Sequence, residues 1–79
     1  MNQIKLGKYR HYKGKVYEVI GVAYHSETLE KLVVYKALYD SDEFGKNALW
    51  VRPVRMFLEK VKVDGKEVSR FEWIGKGGD

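Results

Sequence analysis

The segment Val16–Tyr24 constrains the fold of this chain more than any other stretch. It reads Val-Tyr-Glu-Val-Ile-Gly-Val-Ala-Tyr, and its β-branched and aromatic residues fall on both faces of an extended strand. A strand that is apolar on both faces fits the middle of a small barrel or a strand bent around one. Gly21 stands at mid-strand, where glycine is typical of a bulge or a barrel corner. We therefore expect a strongly bent β-sheet.

Further strands and turns are predicted on either side of this segment. Three more extended segments are expected, at residues 7–12, 32–38 and 48–52. Gly14 fits a tight turn between the first two strands, because glycine adopts positive φ freely. Asp64-Gly65 lies between alternating residues and predicts a two-residue hairpin that sets Val61 opposite Val68.

One helical turn interrupts the strands after Pro53. Proline ends the preceding strand and pre-sets φ for the first helical residue. The apolar face of this turn is predicted to contain Val54, Phe57, Leu58 and Val61. The fold class is therefore mainly β, and the predicted architecture is a small SH3-like barrel of about five strands with one short helical turn after Pro53.

Length and composition fit a single small domain in a reducing compartment. The 79 residues suffice for one domain, and 44% hydrophobic with 14% aromatic residues suffices for its core. The chain has no cysteine, no N-terminal apolar stretch typical of a signal peptide, and no apolar run long enough to span a membrane. We expect a cytoplasmic β-barrel domain over residues 1–74 and a flexible tail over residues 75–79.

Charge is distributed unevenly along the chain. The net charge is +4, and residues 1–16 contain no acidic side chain but five basic ones: Lys5, Lys8, Arg10, Lys13 and Lys15. A basic strip of this kind fits contact with phosphates. It also fits a solvated, lysine-rich edge strand that resists aggregation, which is the simpler interpretation.

Aromatic residues beside basic ones favour a binding module. The rings are too many for all of them to belong to the core, and exposed rings flanked by Lys or Arg suit stacked bases and phosphates. The residues predicted to bind a ligand are Tyr9, Arg10, Tyr12, Lys13, Trp50, Arg52 and Arg55. Nucleic acid is the first partner this predicts, and a protein or peptide is the second. A homodimer that buries the same rings stays open beside a monomer.

A small hydrolase is the alternative from a different class. If the first two strands bring their ends together, His11 and His25 share a cleft in which Glu27 or Glu30 acts as an acid or an orienting carboxylate. The sequence offers no nucleophile elbow around Ser26, and the simpler interpretation is a turn in which His25 bonds to the backbone. Two isolated histidines and no cysteine predict no metal site, and no phosphate-binding loop or other cofactor motif occurs.

Three motifs together resemble a known family. They are Gly7-Lys8-Tyr9-Arg10-His11-Tyr12-Lys13-Gly14, then His25-Ser26-Glu27-Thr28-Leu29-Glu30, and finally Leu49-Trp50-Val51-Arg52-Pro53 followed by Met56-Phe57. The pattern is similar to that of a small bacterial family catalogued only as a domain of unknown function. The resemblance extends from about Gly7 to Phe71 and implies a free-standing bacterial domain, with no activity to transfer. The loop between Tyr39 and Leu49 is longer here than the family pattern implies.

Overall fold

The computed structural model describes residues 4–76, most of which lie in short antiparallel strands. The elements in chain order are β1 (Gly7–His11), β2 (Val16–Tyr24), β3 (Lys31–Ala37), β4 (Asp40–Ser41), β5 (Gly45–Lys46), β6 (Leu49–Pro53), α1 (Val54–Phe57), β7 (Lys60–Val63), β8 (Lys66–Ser69) and β9 (Phe71–Gly75). The predicted mainly-β class is confirmed. Gly75 belongs to the last strand, and residues 77–79 of the predicted tail lie outside the described residues.

Five strands form one antiparallel sheet in the order β6-β3-β2-β1-β9. β1 pairs with β2 on one side and with β9 on the other, so strands from the two ends of the chain are neighbours. β4 pairs with β5, and β7 with β8, in two separate hairpins. Because β6 and β9 are left at opposite edges, the sheet is not closed into a barrel within residues 4–76.

The long strand β2 is bent where Gly21 is predicted to bend it. Val19 pairs with Tyr35, but the next pair is Gly21 with Val34, so Ile20 is an extra residue on β2. A bulge of this kind increases the local twist and re-aims the side chains that follow it. The bulge lies where a bend was predicted, but β2 is not buried on both faces: beyond Val19, the apolar side chains of Ile20, Val22 and Tyr24 are exposed.

The core is a cluster of aromatic rings on one side of the sheet. Phe57 of α1 and Phe71 of β9 stack with centroids 4.2 Å apart, and Tyr9 and Tyr35 meet Phe57 edge to face. Such pairs contribute roughly 0.5–1.5 kcal/mol each beyond the area they bury. The buried cluster also contains three valines: Val19, Val33 and Val54. A domain this small thus depends on a few large side chains for its stability.

The predicted helical turn after Pro53 is confirmed as α1. Pro53 has φ −54° and lacks an N–H, so it fits directly before the first helical residue. Val54 and Phe57 are buried as predicted, but Leu58 is exposed, because the helix ends at Phe57 and Leu58 lies in the following turn. No helix within residues 4–76 is long and apolar enough to cross a membrane.

The β7–β8 hairpin has the predicted register. Val61 lies opposite Val68, and Val63 lies opposite Lys66. Asp64 and Gly65, the two residues of the turn, have φ of 52° and 81°, and a type I′ turn requires both to be positive. The pairing places all three valines of the hairpin on one of its faces.

Among the pairings that were not predicted from the sequence are β4 with β5 and β9 with β1. β4 and β5 form a small hairpin within the segment interpreted as a polar loop. β9 pairs with β1, placing Trp73 opposite Tyr9 and Phe71 opposite His11. This second pairing is the one that matters for the site, because it brings Phe71 and Glu72 against the end of β1.

Candidate binding site

A groove of about 390 Å³ lies between the end of β1 and the β7–β8 hairpin. Its lining residues are Arg10, His11, Tyr12, Val63, Val68, Ser69 and Glu72. We name it the β1 groove. Its volume falls within the range of small-molecule sites in proteins. In the β1–β9 register Arg10 lies opposite Glu72, so these two charges face each other across neighbouring strands.

The β1 groove brings together three of the residues predicted to bind a ligand. Arg10 and Tyr12 line it, and the Nζ atom of Lys13 lies 5.8 Å from the centroid of the Tyr12 ring. That distance is within the range of a cation–π contact. The His11 ring is tilted against Tyr12 with centroids 4.7 Å apart. Two adjacent rings and two cations therefore sit together at the end of one strand.

Two of the predicted aromatic residues belong to the core side of the sheet. Tyr9 is buried, and its hydroxyl donates a hydrogen bond of 2.8 Å to the carbonyl of Lys5. Burial raises the pKa of Tyr9, so this phenol is neutral. Trp50 is half-buried against Phe44, with ring centroids 4.9 Å apart, and its indole N–H is buried with no hydrogen-bond partner among residues 4–76. The structure does not bring either ring into the β1 groove.

Arg52 and Arg55, the predicted cations on either side of Pro53, do not lie together. They are three residues apart in the chain, but Pro53 and α1 turn them in different directions. Arg52 lies on the core side, where its Nε donates to the Tyr35 hydroxyl at 3.3 Å. Arg55 is exposed, and its Nη2 lies 3.2 Å from Oε2 of Glu30.

His11 is a neutral hydrogen-bond donor at the inner end of the β1 groove. Its Nδ1 accepts the backbone N–H of Lys13 at 3.2 Å, so the proton of the neutral ring is on Nε2. Burial lowers the pKa of His11, and the charges of Arg52, Arg70 and Lys13 lower it further. Near neutral pH this ring therefore offers Nε2–H rather than a positive charge.

His11 and His25 lie at opposite ends of β2. Arg10 pairs with Val16, which puts His11 beside the start of β2, whereas His25 follows its last residue. Nine residues of strand separate the two ends by roughly 30 Å. The expectation that these histidines share a cleft is therefore wrong, because the antiparallel hairpin directs them away from each other.

The turn after β2 uses His25 as a local acceptor. Nδ1 of His25 accepts the backbone N–H groups of Glu27 and Thr28, at 3.1 and 3.3 Å. The Glu27 side chain is exposed beside it. This is the backbone-bonded turn that was the simpler interpretation of the motif. Within residues 4–76 no group of three or more His, Asp or Glu side chains is placed to hold a metal ion.

The sequence did not identify the other walls of the β1 groove. Val63 and Val68 come from the hairpin and Glu72 from β9, more than 50 residues along the chain from Arg10. The predicted hairpin register did place apolar side chains on one face of the hairpin. An isolated two-stranded hairpin with an apolar face is stable only when that face packs against another element. The apolar face was therefore the sequence feature from which a neighbour of the hairpin could have been predicted.

Comparison with known proteins places the chain in a family. The family model described as "Protein of unknown function (DUF1653)" matches residues 7–73. The chain belongs to the DUF1653 family. The crystal structure of a DUF1653 protein from Bordetella bronchiseptica is 33% identical to this chain with a TM-score of 0.85, over 100% of this chain and 97% of that one. A search of curated proteins found no match. The resemblance carried by the three sequence motifs is confirmed.

Behind the β1 groove, this DUF1653 domain holds two phenols in contact. The hydroxyls of Tyr17 and Tyr39 are 2.7 Å apart, and the Tyr17 ring meets Phe71 edge to face at 5.8 Å. Burial raises the pKa of Tyr17 far above its usual value, and the hydrogen bond to Tyr39 raises it further. Tyr17 is therefore a neutral phenol in the folded domain.

We expect the free energy of unfolding of this DUF1653 domain to fall as the pH rises above about 10. An unfolded chain releases the Tyr17 proton near 10.0, whereas the folded domain retains it, so the unfolded state binds fewer protons above that pH. The contribution of Tyr17 to the free energy of unfolding is fully present below pH 10 and is lost as the pH rises toward the pKa of Tyr17 in the folded domain. Urea denaturation across this range measures the slope.

The matched variants for this prediction are Tyr17→Phe and Tyr24→Phe. Tyr24 is an exposed phenol near the far end of β2. Tyr17→Phe is expected to reduce the alkaline decline, leaving the part that comes from the raised pKa of Tyr9, while Tyr24→Phe leaves the decline as in the parent domain. Equal slopes in the parent and in Tyr17→Phe would show that Tyr17 titrates alike in both states.

Proposed function

We propose that this domain is a binding module that holds single-stranded nucleic acid in the β1 groove. The observation that supports this most is the exposed ring of Tyr12 with the cations Arg10 and Lys13 beside it. A base stacked on an exposed ring contributes roughly 1–3 kcal/mol, and neighbouring cations neutralise the phosphates on either side. Both parts of such a contact are present at one end of one strand.

The opposite wall of the β1 groove suits the rest of a nucleotide. Val63 and Val68 present apolar surface to a base or a sugar. Glu72 is a hydrogen-bond acceptor for an amino group on a base edge. The overall charge of +4 attracts a polyanion at long range.

An extended peptide is the second candidate, and the free edge of β9 favours it. In the sheet formed within residues 4–76, β9 pairs only with β1. A peptide can add a strand to an edge of this kind through main-chain hydrogen bonds. Such binding depends little on salt, because it neutralises few charges.

The SH3-like architecture belongs to this proposal. It is supported by the position of α1 between β6 and the last three strands and by the bulge that bends β2, although the sheet itself is open. In small β folds of this kind, ligands lie where aromatic rings adjoin cations.

An NMR titration with short single-stranded DNA and RNA tests the nucleic-acid proposal. We expect amide shifts at Tyr12, Lys13 and Val68. If Arg10 and Lys13 each neutralise one phosphate, affinity is expected to fall about sevenfold between 50 and 200 mM salt, from a slope of about 0.7 per contact for single strands. Shifts confined to β9 with a peptide library, and none with nucleic acid, would favour the second candidate.

Charge-removing variants separate specific contacts from general attraction. Arg10→Gln and Lys13→Gln are each expected to reduce the change over the same salt range to about threefold, because one phosphate contact is lost. Lys62→Gln is the matched control, since Lys62 lies on the face of the hairpin opposite to Val61 and Val63. If all three variants weaken binding equally, the attraction is general and the β1 groove is not the site.

A further inference from the structure

We propose that a phosphate group, as inorganic phosphate or a phosphate monoester, binds between Arg52, Arg70 and His11, on the core side of His11 and next to the β1 groove. We name these three residues the anion site. The proposal shares His11 with the β1 groove. It does not require the ligand to be nucleic acid, and therefore goes beyond the proposed function.

The first support is geometric. Cζ of Arg52 lies 5.7 Å from the centroid of the Phe71 ring, and the His11 ring centroid lies 5.0 Å from the same point. Tyr35 accepts the Arg52 Nε–H at 3.3 Å, which orients the guanidinium and leaves its four terminal N–H donors unused by that bond. Both groups are therefore arranged around one aromatic ring.

Arg70 adjoins His11 from the neighbouring chain segment, and its charge acts on the His11 ring. It precedes Phe71, and its carbonyl accepts the backbone N–H of Tyr12 at 2.9 Å, which ties it to the end of β1. Its Nη2 pairs with Glu59 at 3.1 Å, but its Nε–H is buried with no hydrogen-bond partner among residues 4–76. A buried, unpaired donor on a charged group is unfavourable, and an oxyanion would satisfy it.

The balance of charges selects a dianion. Three cations, Arg52, Arg70 and Lys13, lie near enough to His11 to lower its pKa. Glu59 offsets Arg70, whereas Arg52 in the anion site and Lys13 just outside it have no carboxylate partner within residues 4–76. Two uncompensated positive charges match a phosphate monoester, which carries nearly two negative charges at neutral pH, better than they match a single carboxylate.

The test measures the His11 pKa by imidazole NMR in inorganic phosphate and in sodium chloride of equal ionic strength. A bound dianion is expected to raise the His11 pKa by about one unit, because a nearby negative charge favours the imidazolium. His25, at the other end of β2, is the internal control, and its imidazole signals at a fixed pH should be the same in both solutions. Equal His11 pKa values in phosphate and chloride would overturn the proposal without any variant.

Arginine variants then locate the site. Arg52→Gln is expected to weaken phosphate binding at least about tenfold through loss of a charge-assisted contact, and to raise the His11 pKa in chloride by removing a cation. Arg55→Gln, on the exposed side of α1, should leave both quantities unchanged. If Arg55→Gln has the larger effect, or Arg52→Gln has none on phosphate affinity, phosphate is not held at the anion site.

A final comparison identifies the source of the phosphate. One arm uses a dinucleotide with a 5′-phosphate, and its control is the same dinucleotide without that phosphate. If the phosphorylated form raises the His11 pKa more than inorganic phosphate does, and the control has no effect, the anion site is supported and its ligand is the phosphorylated end of a nucleic acid. If inorganic phosphate raises the His11 pKa and neither dinucleotide does, the anion site is supported and its ligand is free phosphate. Oligonucleotide shifts at Tyr12 with no change at His11 in any phosphate solution would support the proposed function and overturn the anion site.

Discussion

Replacing Gly7 by alanine is expected to lower the free energy of unfolding by about 3 kcal/mol or more. Gly7 has φ +130°, which residues with a side chain rarely adopt, and a Cβ atom there would lie 2.5 Å from the backbone oxygen of Gly75. That oxygen belongs to β9 and cannot move away without disturbing its pairing with β1. For a domain of this size the loss corresponds to a melting temperature lower by about 12–24 °C.

Gly14→Ala is the control for the Gly7 prediction. Gly14 also has positive φ, +110°, but no heavy atom lies within 4 Å of the position of its Cβ. Gly14→Ala is therefore expected to lower the free energy of unfolding by only about 1–2 kcal/mol, which is the cost of the backbone conformation alone. Thermal denaturation of both variants measures the difference, which is the effect of close approach between β1 and β9. Equal losses would mean that the two strands are not packed as tightly as described.

Replacing Phe57 by alanine is expected to destabilise the domain by about 3–5 kcal/mol. Phe57 is 1% exposed, and its ring contacts Phe71, Tyr9 and Tyr35. Removing it leaves a cavity at the point where α1, β1, β3 and β9 meet. Because small domains have only about 5–15 kcal/mol of stability in total, much of it would be lost. Guanidinium denaturation followed by tryptophan fluorescence measures the change.

Met56→Ala is the matched control for Phe57. Met56 precedes Phe57 in the same helical turn but is 37% exposed. We expect a loss below about 1 kcal/mol, as for most surface substitutions. Comparable losses at the two positions would show that α1 does not dock through Phe57 and that the aromatic stack contributes little.

Local patterns predicted the elements whose partners are close in the chain. β2 was predicted because β-branched and aromatic residues favour extended structure, and β7–β8 because Asp64-Gly65 fixes its own turn. β9 was missed because Phe71–Gly75 forms a strand only by pairing with β1, which lies 60 to 67 residues earlier in the chain. The alternation of apolar and polar side chains predicts which face of a strand is buried but not which strands lie at the edges of the sheet. The open sheet could therefore not be predicted from it.

The candidate site was predicted in part for the same reason. Arg10, Tyr12 and Lys13 were identified together because they are neighbours in sequence at the end of β1. Trp50 and Arg52, also predicted to bind a ligand, lie on the face of β6 that points toward the aromatic core and do not line the β1 groove. Their direction depends on which side of the sheet α1 packs against, and no local pattern encodes that choice.

The adjacency of β1 and β9 also affects how the chain folds. The indole N–H of Trp73 donates to the carbonyl of Leu6, across 67 residues, so the contact that completes the sheet is among the most distant in the chain. Contacts of such separation slow folding, because the loop must close before any of its stabilising interactions form. On a ribosome adding about 5–20 residues per second, β1 would wait roughly 3–13 s for β9. During that interval one edge of β1 is unpaired, and it is the point most open to chaperone binding or to pairing with another chain.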